Sequence, residues 1–277
     1  MKAIGRMWKH VSLAVAAWSL ATAARSGVPL NAIEGYGGAA FNPFAYIAGQ
    51  NTEESKAPLC DAISKGQFGA WYGNLGDVDV DWMALGTAFS VGSRIELSYG
   101  YEVVAPNGKN LQKNDIGAKL NVIPENLGDN PAIPAVSLGA VAKSISDATD
   151  ADESGYDYYA VATKLITQTP IPVLVSGGAL STQGRVTGVF GFDDDRDITA
   201  FGNIDVIPLS FLAFGFEYKQ GAQFSDFKNA DYWDAHVGWL ANKNLTLIAA
   251  YVDAGDNKST SKVGLGDGVV VSAQYAF

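Results

Sequence analysis

The chain has 277 residues and a formal net charge of −10, from 29 acidic and 19 basic side chains. Such acidity argues against nucleic acid as a partner, because duplex binding depends on basic surface that neutralises phosphates. The single cysteine, Cys60, cannot form an internal disulfide, and two histidines cannot build a Cys/His zinc cluster. We therefore expect neither a metal nor another cofactor. Abundant glycine and aromatic residues, with few charges, are typical of many short strands.

Residues 1–24 have the pattern of a secretory signal peptide. Basic residues precede the apolar run "VSLAVAAWSLATA", and small residues then supply a cleavage site. The apolar run is too short to anchor the chain in a bilayer as a helix. We expect export and cleavage near Ala23 or Ala24.

Residues 25–66 form a glycine-rich segment without the regular alternation seen further along the chain. The stretch "IEGYGGAAFNPFAYIAG" carries four glycines and a proline. Backbone rich in glycine can pack closely against other backbone or against side chains. Three interpretations fit this segment: an additional strand, a plug folded into the interior of a barrel, or a periplasmic extension.

From residue 67 onward, apolar side chains alternate with small or polar ones. In "SRIELSYGYEVV" the residues from Ile95 to Val103 alternate with Glu96, Ser98, Gly100 and Glu102, and the stretches "IGAKLNV" and "LAFGFEYKQ" repeat the pattern. A soluble sandwich also alternates, but its polar face is a solvated surface rich in charge. Here the polar face is mostly Gly, Ala and Ser with one or two charges per strand. This favours a transmembrane barrel with a confined interior.

Twelve such runs are present, an even number as expected for a single-chain bacterial barrel. Residues 67–277 therefore predict an all-β, antiparallel, up-and-down transmembrane barrel of twelve strands. Its short connections should be periplasmic and its long ones extracellular. Fourteen is the alternative if residues 25–66 supply a strand and a partner is found for it. The predicted strands are 67–76, 80–91, 93–104, 114–123, 132–143, 157–166, 171–182, 197–206, 209–220, 230–240, 244–253 and 268–277. The predicted interfacial aromatic residues are Tyr156, Tyr158, Tyr159, Tyr232, Trp233, Trp239 and Tyr251.

Charged and polar side chains on the inward face form the main candidate site. They could pair across the lumen and hold it closed, or line a water-filled path and select solutes by charge. The predicted lumen-lining residues are Arg94, Glu96, Glu102, Lys119, Lys143, Lys164, Asp205, Glu217, Lys219, Asp234 and His236.

Two smaller motifs could carry chemistry. Asp193, Asp194, Asp195 and Asp197 resemble the spacing of a calcium loop, but the central glycine and closing glutamate are missing. We interpret this run as part of a solvated outer loop.

Asp234 and His236 could activate water or a serine, as in some outer-membrane hydrolases. Neither a nucleophile nor a third, orienting group can be identified in the sequence. We therefore predict no catalytic residue and no enzyme activity.

The C-terminal stretch "GVVVSAQYAF" places apolar residues at every second position up to an aromatic last residue. It resembles the signal by which outer-membrane proteins are recognised for insertion, carried here by Val269, Val271, Ala273, Tyr275 and Phe277. Assembly machinery that recognises an extended strand by pairing with it would bind the side chains at alternate positions. The expected partners are barrel-assembly machinery, periplasmic chaperones and outer-membrane lipid, and the expected location is the cell outer membrane.

Several stretches resemble a family of uncharacterised outer-membrane barrels of Gram-negative bacteria, a domain of unknown function. They are "EGYGGAAFNPFAYIAG", "GAWYGNLGDVDVDW", "RIELSYGYEV", "IGAKLNVIPEN" and "FGNIDVIPLSFLAFGFEY". The N-terminal region is also distantly similar to barrels associated with exopolysaccharide export. These resemblances imply a fold and a location, and they supply no catalytic or ligand-binding residue.

The sequence thus predicts a narrow, porin-like channel for passive passage of small solutes. The alternative is a closed structural or interaction barrel that assists envelope assembly or polysaccharide secretion. A third possibility is the hydrolase based on Asp234 and His236.

Overall fold

The computed structural model describes residues 29–49, 63–64, 66–76, 79–106, 108, 110–146, 151–255 and 262–277. The predicted signal peptide and Cys60 lie outside these ranges, so the signal peptide stays a prediction. Among the described residues, no helix is long and apolar enough to cross a membrane.

Twelve antiparallel strands form a closed barrel, in which each strand pairs with the next and β12 pairs with β1. This confirms the prediction of a twelve-stranded all-β barrel and makes the fourteen-stranded alternative wrong. In the described part of the chain, two short 3₁₀ turns, Leu127–Asp129 and Arg185–Gly188, lie in connections. The strands are β1 (Gln67–Leu75), β2 (Val80–Val91), β3 (Ile95–Pro106), β4 (Leu111–Ile123), β5 (Ala135–Ile145), β6 (Ser154–Ile166), β7 (Val173–Gly184), β8 (Phe192–Leu209), β9 (Leu212–Lys219), β10 (Tyr232–Leu240), β11 (Leu245–Asp253) and β12 (Asp267–Ala276).

The largest difference from the predicted strands is at the start of β8. The acidic run from Asp193 to Asp197 was expected in a loop, but it belongs to the strand. The pairing of β7 with β8 continues past an irregularity and ends with Gly184 opposite Phe192. Arg185 binds Asp193 at 2.8 Å and so compensates one charge of the run. The expectation of a loop was therefore wrong, whereas Asp194 and Asp195 are exposed to solvent as expected.

The two ends of the barrel differ in their connections. One end carries the C-terminus and the connections after β2, β4, β6, β8 and β10, and is called the terminal end. The other carries the connections after the odd-numbered strands, and is called the loop end. Outward tyrosines near the loop end bind carboxylates through their hydroxyl groups, for example Tyr218 with Asp231 at 2.8 Å. Two of the predicted interfacial aromatic residues, Tyr159 and Tyr232, are instead buried inside the barrel.

Residues 29–49, here called the inner segment, lie inside the barrel and are mostly buried. Both its N-terminal and its C-terminal half are hydrogen-bonded to the barrel wall near the terminal end. The carbonyl of Leu30 accepts a hydrogen bond from Gln67 of β1 at 3.2 Å, and that of Ala45 accepts one from Ser137 of β5 at 2.6 Å. The segment therefore runs from the terminal end into the lumen and back.

Two glycines of the barrel wall allow the inner segment to lie against it. Gly86 of β2 and Gly100 of β3 are cross-strand partners. A Cβ on Gly86 would lie 2.7 Å from the Cα of Gly35, and one on Gly100 would lie 2.6 Å from the carbonyl carbon of Glu34. Gly35 itself has a φ of 90°, a conformation that glycine adopts without strain. This flat patch of wall is what places Glu34 deep in the lumen.

Apolar side chains close the loop end above the inner segment. The connection after β7 folds inward, so that Val186 and Val189 are buried. They belong to one apolar cluster with Phe192, with wall residues such as Trp82, and with Phe41 of the inner segment. In this conformation the lumen is filled by the inner segment and covered by this cluster.

Candidate functional site

A buried network of charges holds the tip of the inner segment. Lys113 of β4 binds Glu34 at 3.0 Å, Glu102 of β3 at 2.7 Å and Asp115 at 3.3 Å. Lys143 of β5 binds Glu34 as well, and also binds Asp157 of β6 at 2.7 Å. Glu34 therefore connects the inner segment to two strands through two ammonium groups.

Three carboxylates of this network have the spacing of a metal site. Oxygens of Glu34, Glu102 and Asp115 lie within 4.8 Å of one another. The ammonium group of Lys113 is within ion-pair distance of all three. A lysine of this chain thus supplies the positive charge that a bound cation would otherwise bring, and the arrangement is an ion-pair network.

The lysines keep Glu34 charged. Burial by itself would raise the pKa of this carboxyl group, but Lys113 and Lys143 outweigh that effect and hold the pKa well below its ordinary value. The ionised form is therefore the one that binds the two strands over the ordinary pH range.

Other inward charges bind the backbone of the inner segment. Glu217 of β9 accepts hydrogen bonds from the amides of Phe41 at 3.0 Å and Asn42 at 2.5 Å. On the other side, Glu96 of β3 accepts hydrogen bonds from the amides of Gly37 at 2.9 Å and Ala48 at 2.6 Å. Charged wall residues thus satisfy amides that no strand partner satisfies.

Lys119 completes this second anchor. Its ammonium group binds Glu96 at 2.9 Å and donates to the carbonyls of Gly37 at 2.9 Å and Phe44 at 3.1 Å. Glu96 of β3 binds the inner segment through its carboxylate and Lys119 of β4 binds it through its ammonium group. Together they contact both the N-terminal and the C-terminal half of the segment.

His236 of β10 forms a bridge between two carboxylates. Its Nδ1 lies 2.6 Å from Asp234 and its Nε2 lies 2.9 Å from Asp205 of β8. Gly215 of β9 is the register partner of both His236 and Asp205, so the bridge passes over a residue without a side chain. A Cβ there would lie 2.2 Å from the His236 Nε2. Because both ring nitrogens are occupied, neither is free to accept a proton from a nucleophile.

Nine of the predicted lumen residues face inward, and two do not. Arg94 lies exposed in the turn between β2 and β3, and Lys164 lies on the outward face of β6. The Lys164 side chain reaches the terminal-end connection, where it binds Asn126 at 2.6 Å and Glu125 at 3.3 Å. A long side chain near a membrane interface can extend in this way and keep its charge among polar groups. The nine inward residues are Glu96, Glu102, Lys119, Lys143, Asp205, Glu217, Lys219, Asp234 and His236.

The sequence reasoning missed four members of the network. Lys113 fell just outside the predicted fourth strand, which in the structure begins at Leu111. Asp115 and Asp157 fall at the alternate positions of their strands that face the lumen, and this alternation could have identified them. Glu34 had no such signal, because its position depends on how the inner segment folds.

The C-terminal residues face away from the lumen. The exposed fractions of Val269, Val271, Tyr275 and Phe277 lie between 42% and 68%. The rings of Tyr275 and Phe277 pack edge to face at 5.1 Å. The outer surface of β12 thus ends in a pair of aromatic rings at the terminal end.

The family model for proteins of unknown function designated DUF3034 matches residues 26–265. The chain belongs to this family. The match includes the inner segment together with most of the barrel, so both parts lie within the family's domain. A comparison with curated protein sequences finds no match.

Solved outer-membrane barrels are similar in fold. A structure described as the KdgM porin superposes with a TM-score of 0.52 at 12% identity, covering 76% of this chain and 99% of that one. The KdgM porin in complex with disordered oligogalacturonate gives 0.50 at 13% identity, with the same coverage. At this identity the likeness concerns the fold alone: a closed antiparallel barrel of the outer-membrane porin type.

Proposed function

We propose that this member of the DUF3034 family is an outer-membrane channel for small solutes that is closed in the present conformation and opens when the inner segment is displaced. The supporting observation is that the barrel closes without that segment. All twelve strands pair with two neighbours, and residues 29–49 contribute no strand. Displacement would therefore leave no unpaired strand edge in the membrane.

The backbone of the inner segment is held by polar contacts, while apolar side chains such as Ile33 and Phe41 pack against the barrel wall. Carboxylates such as Glu96 and Glu217 bind its backbone amides, and water can replace those hydrogen bonds. The emptied lumen would have walls of mixed charge from residues such as Lys119 and Lys143. A barrel of twelve strands is narrow compared with general porins, so these charges would act strongly on any passing solute.

The proposed location is the outer membrane, with lipid around the barrel. Support comes from the porin-type fold and from the outward row that ends at Phe277. We propose that barrel-assembly machinery reads this row and that periplasmic chaperones deliver the chain. Nucleic acid has no part in this function.

The decisive experiment compares the full-length protein with a variant that lacks residues 29–49 in planar bilayers. Heat-modifiable migration on a gel first shows that each protein contains a folded barrel. We expect rare or no conductance steps from the full-length protein and frequent steps from the deletion variant. A folded, inserted deletion variant that never conducts would overturn opening by displacement of the inner segment alone.

One observation favours a second function, a closed barrel that assists envelope assembly or polysaccharide secretion. The apolar cluster around Val186 and Phe192 seals the loop end independently of most of the inner segment. If the deletion variant stays silent, a further variant shortened between Arg185 and Gly191 tests this seal. Silence of both folded variants would favour the closed barrel. An enzyme is not proposed, since both nitrogens of His236 are occupied.

A further inference from the structure

A cavity of about 140 Å³ lies beside the inner segment, near the terminal end. Its walls are mainly apolar and come from the inner segment, from β1 and from strands β6 to β11. An apolar cavity of about 150 Å³ is known to accept a benzene molecule, so one six-membered ring would fit. The main apolar lining residues are Phe44, Ile47, Leu174, Ile207, Leu240 and Ile248.

The charged part of the lining is acidic. Among the described lining residues, the acidic side chains are Asp205 and Asp234 and the basic one is His236, and Lys and Arg do not occur there. Two carboxylates face one imidazole, so the bridge carries a net negative charge even when the histidine is protonated. Asp205 and His236 each keep 13% of their side-chain surface exposed, so they are accessible at the wall of the cavity.

Among the polar side chains of the lining, Gln67 and Thr246 each have an oxygen without a hydrogen-bond partner among the described residues. Gln67 and Thr246 are each 1% exposed, yet the Gln67 Oε1 and the Thr246 Oγ1 make no hydrogen bond. The amide nitrogen of Gln67 is already used on the carbonyl of Leu30, which leaves its oxygen as an open acceptor. Burying an acceptor without a donor is unfavourable, and a ligand that carries N–H groups would remove that penalty.

We propose that this cavity is a binding site for a small organic cation, a primary ammonium group attached to a single ring. The ring would occupy the apolar walls, and the ammonium group would bind Asp205 or an open acceptor such as the Gln67 Oε1. The site exists in the closed conformation, so the proposal goes beyond the channel and does not depend on conductance.

Three probes of similar size and different charge test the proposal: benzylammonium, benzyl alcohol and benzoate. Each is titrated into the full-length protein in detergent by calorimetry, with thermal unfolding as a second readout. We expect benzylammonium to bind at least about tenfold more tightly than the other two, as one charge-assisted contact implies. Equal binding of all three probes, or no binding of benzylammonium, would overturn the proposal.

Three variants locate the site. In Asp205→Asn the acidic wall is weakened, and binding of benzylammonium should fall about tenfold. In Ala213→Leu a larger side chain fills the cavity, and binding should be lost, since Ala213 is part of its lining. The matched control is Asp253→Asn, an acid that binds Trp233 outside the cavity, and its affinity should equal that of the unaltered protein. Unchanged affinity in a folded Ala213→Leu protein would show that the probe binds elsewhere.

Discussion

Replacing Glu34 with glutamine tests how the inner segment is held. The change keeps the shape of the side chain and removes its charge from Lys113 and Lys143, each on a different strand. Asp157→Asn is the matched control, because Asp157 also binds Lys143 but belongs to the wall. If Glu34 fastens the segment, only the first variant should release it.

The size of the effect follows from the charges in the network. Four carboxylates surround the two lysines, so each lysine keeps at least one acidic partner after Glu34→Gln. The full penalty of a buried unpaired charge, about 3–5 kcal/mol, therefore does not apply. Two charge-assisted hydrogen bonds become weaker ones, and we expect a loss of about 2–3 kcal/mol of docking free energy. This corresponds to roughly a 30- to 150-fold increase in the ratio of displaced to docked segment.

Chymotrypsin measures this ratio without any need for conductance. Its preferred aromatic residues in the inner segment include Tyr36, Phe41 and Phe44, all buried in the docked state. When opening is fast relative to cleavage, the cleavage rate follows the displaced population. The rate should rise by the same 30- to 150-fold in Glu34→Gln and stay near the original value in Asp157→Asn. Equal rates for the original protein and a folded Glu34→Gln variant would refute the reasoning.

Three more predictions follow from the structure. Because the pKa of Glu34 is held low, its contribution to docking is fully present above the ordinary value of 4.5 and is lost only as the pH falls below it. The ratio of chymotrypsin cleavage rates between Glu34→Gln and the original protein should therefore not change between pH 8 and 5, and a fall of this ratio toward one in that interval would contradict the ion pairs. Gly215→Ala should lower the free energy of unfolding by about 1–3 kcal/mol, because the new Cβ would displace His236 or Asp205. Urea titration in detergent measures this loss. Gly177→Ala is the control, because its Cβ would lie no closer than 3.6 Å to its neighbours. Phe277→Ala should reduce the amount of folded barrel in cell envelopes. Phe211→Ala, which removes another exposed aromatic side chain, should not reduce it. Equal losses in both variants would indicate a general effect of exposed aromatic area.

The sequence by itself determined the barrel and the face of most of its side chains. In β3, Ile95, Leu97 and Tyr99 face outward and Glu96 and Glu102 face inward, as the alternation predicts. The same holds for β12 and its row of residues up to Phe277. This information is local, because every second residue of a membrane strand meets lipid and the others meet the interior.

Local patterns were less reliable where strands end. Lys164 occupies an outward-facing position of β6, and its side chain is long enough to reach Asn126 in the polar connection. The acidic run after Phe192 had the composition of a loop, yet its backbone pairs with β7. The outward face of Lys164 was readable from the alternation of β6, whereas the reach of its side chain and the continued pairing after Phe192 were not, because side-chain length and backbone pairing override composition near strand ends.

Only the tertiary structure decided what the inward charges do. Glu34 meets lysines 79 and 109 residues further along the chain, and His236 meets Asp205 across a strand whose residue there is Gly215. Such pairs depend on strand register and on the path of the inner segment through the lumen. No periodicity specifies either, because a side chain that faces a closed interior can meet any element folded into it. The alternation of the strands therefore indicated most of the wall charges that face the lumen, and the fold determined that they bind the inner segment.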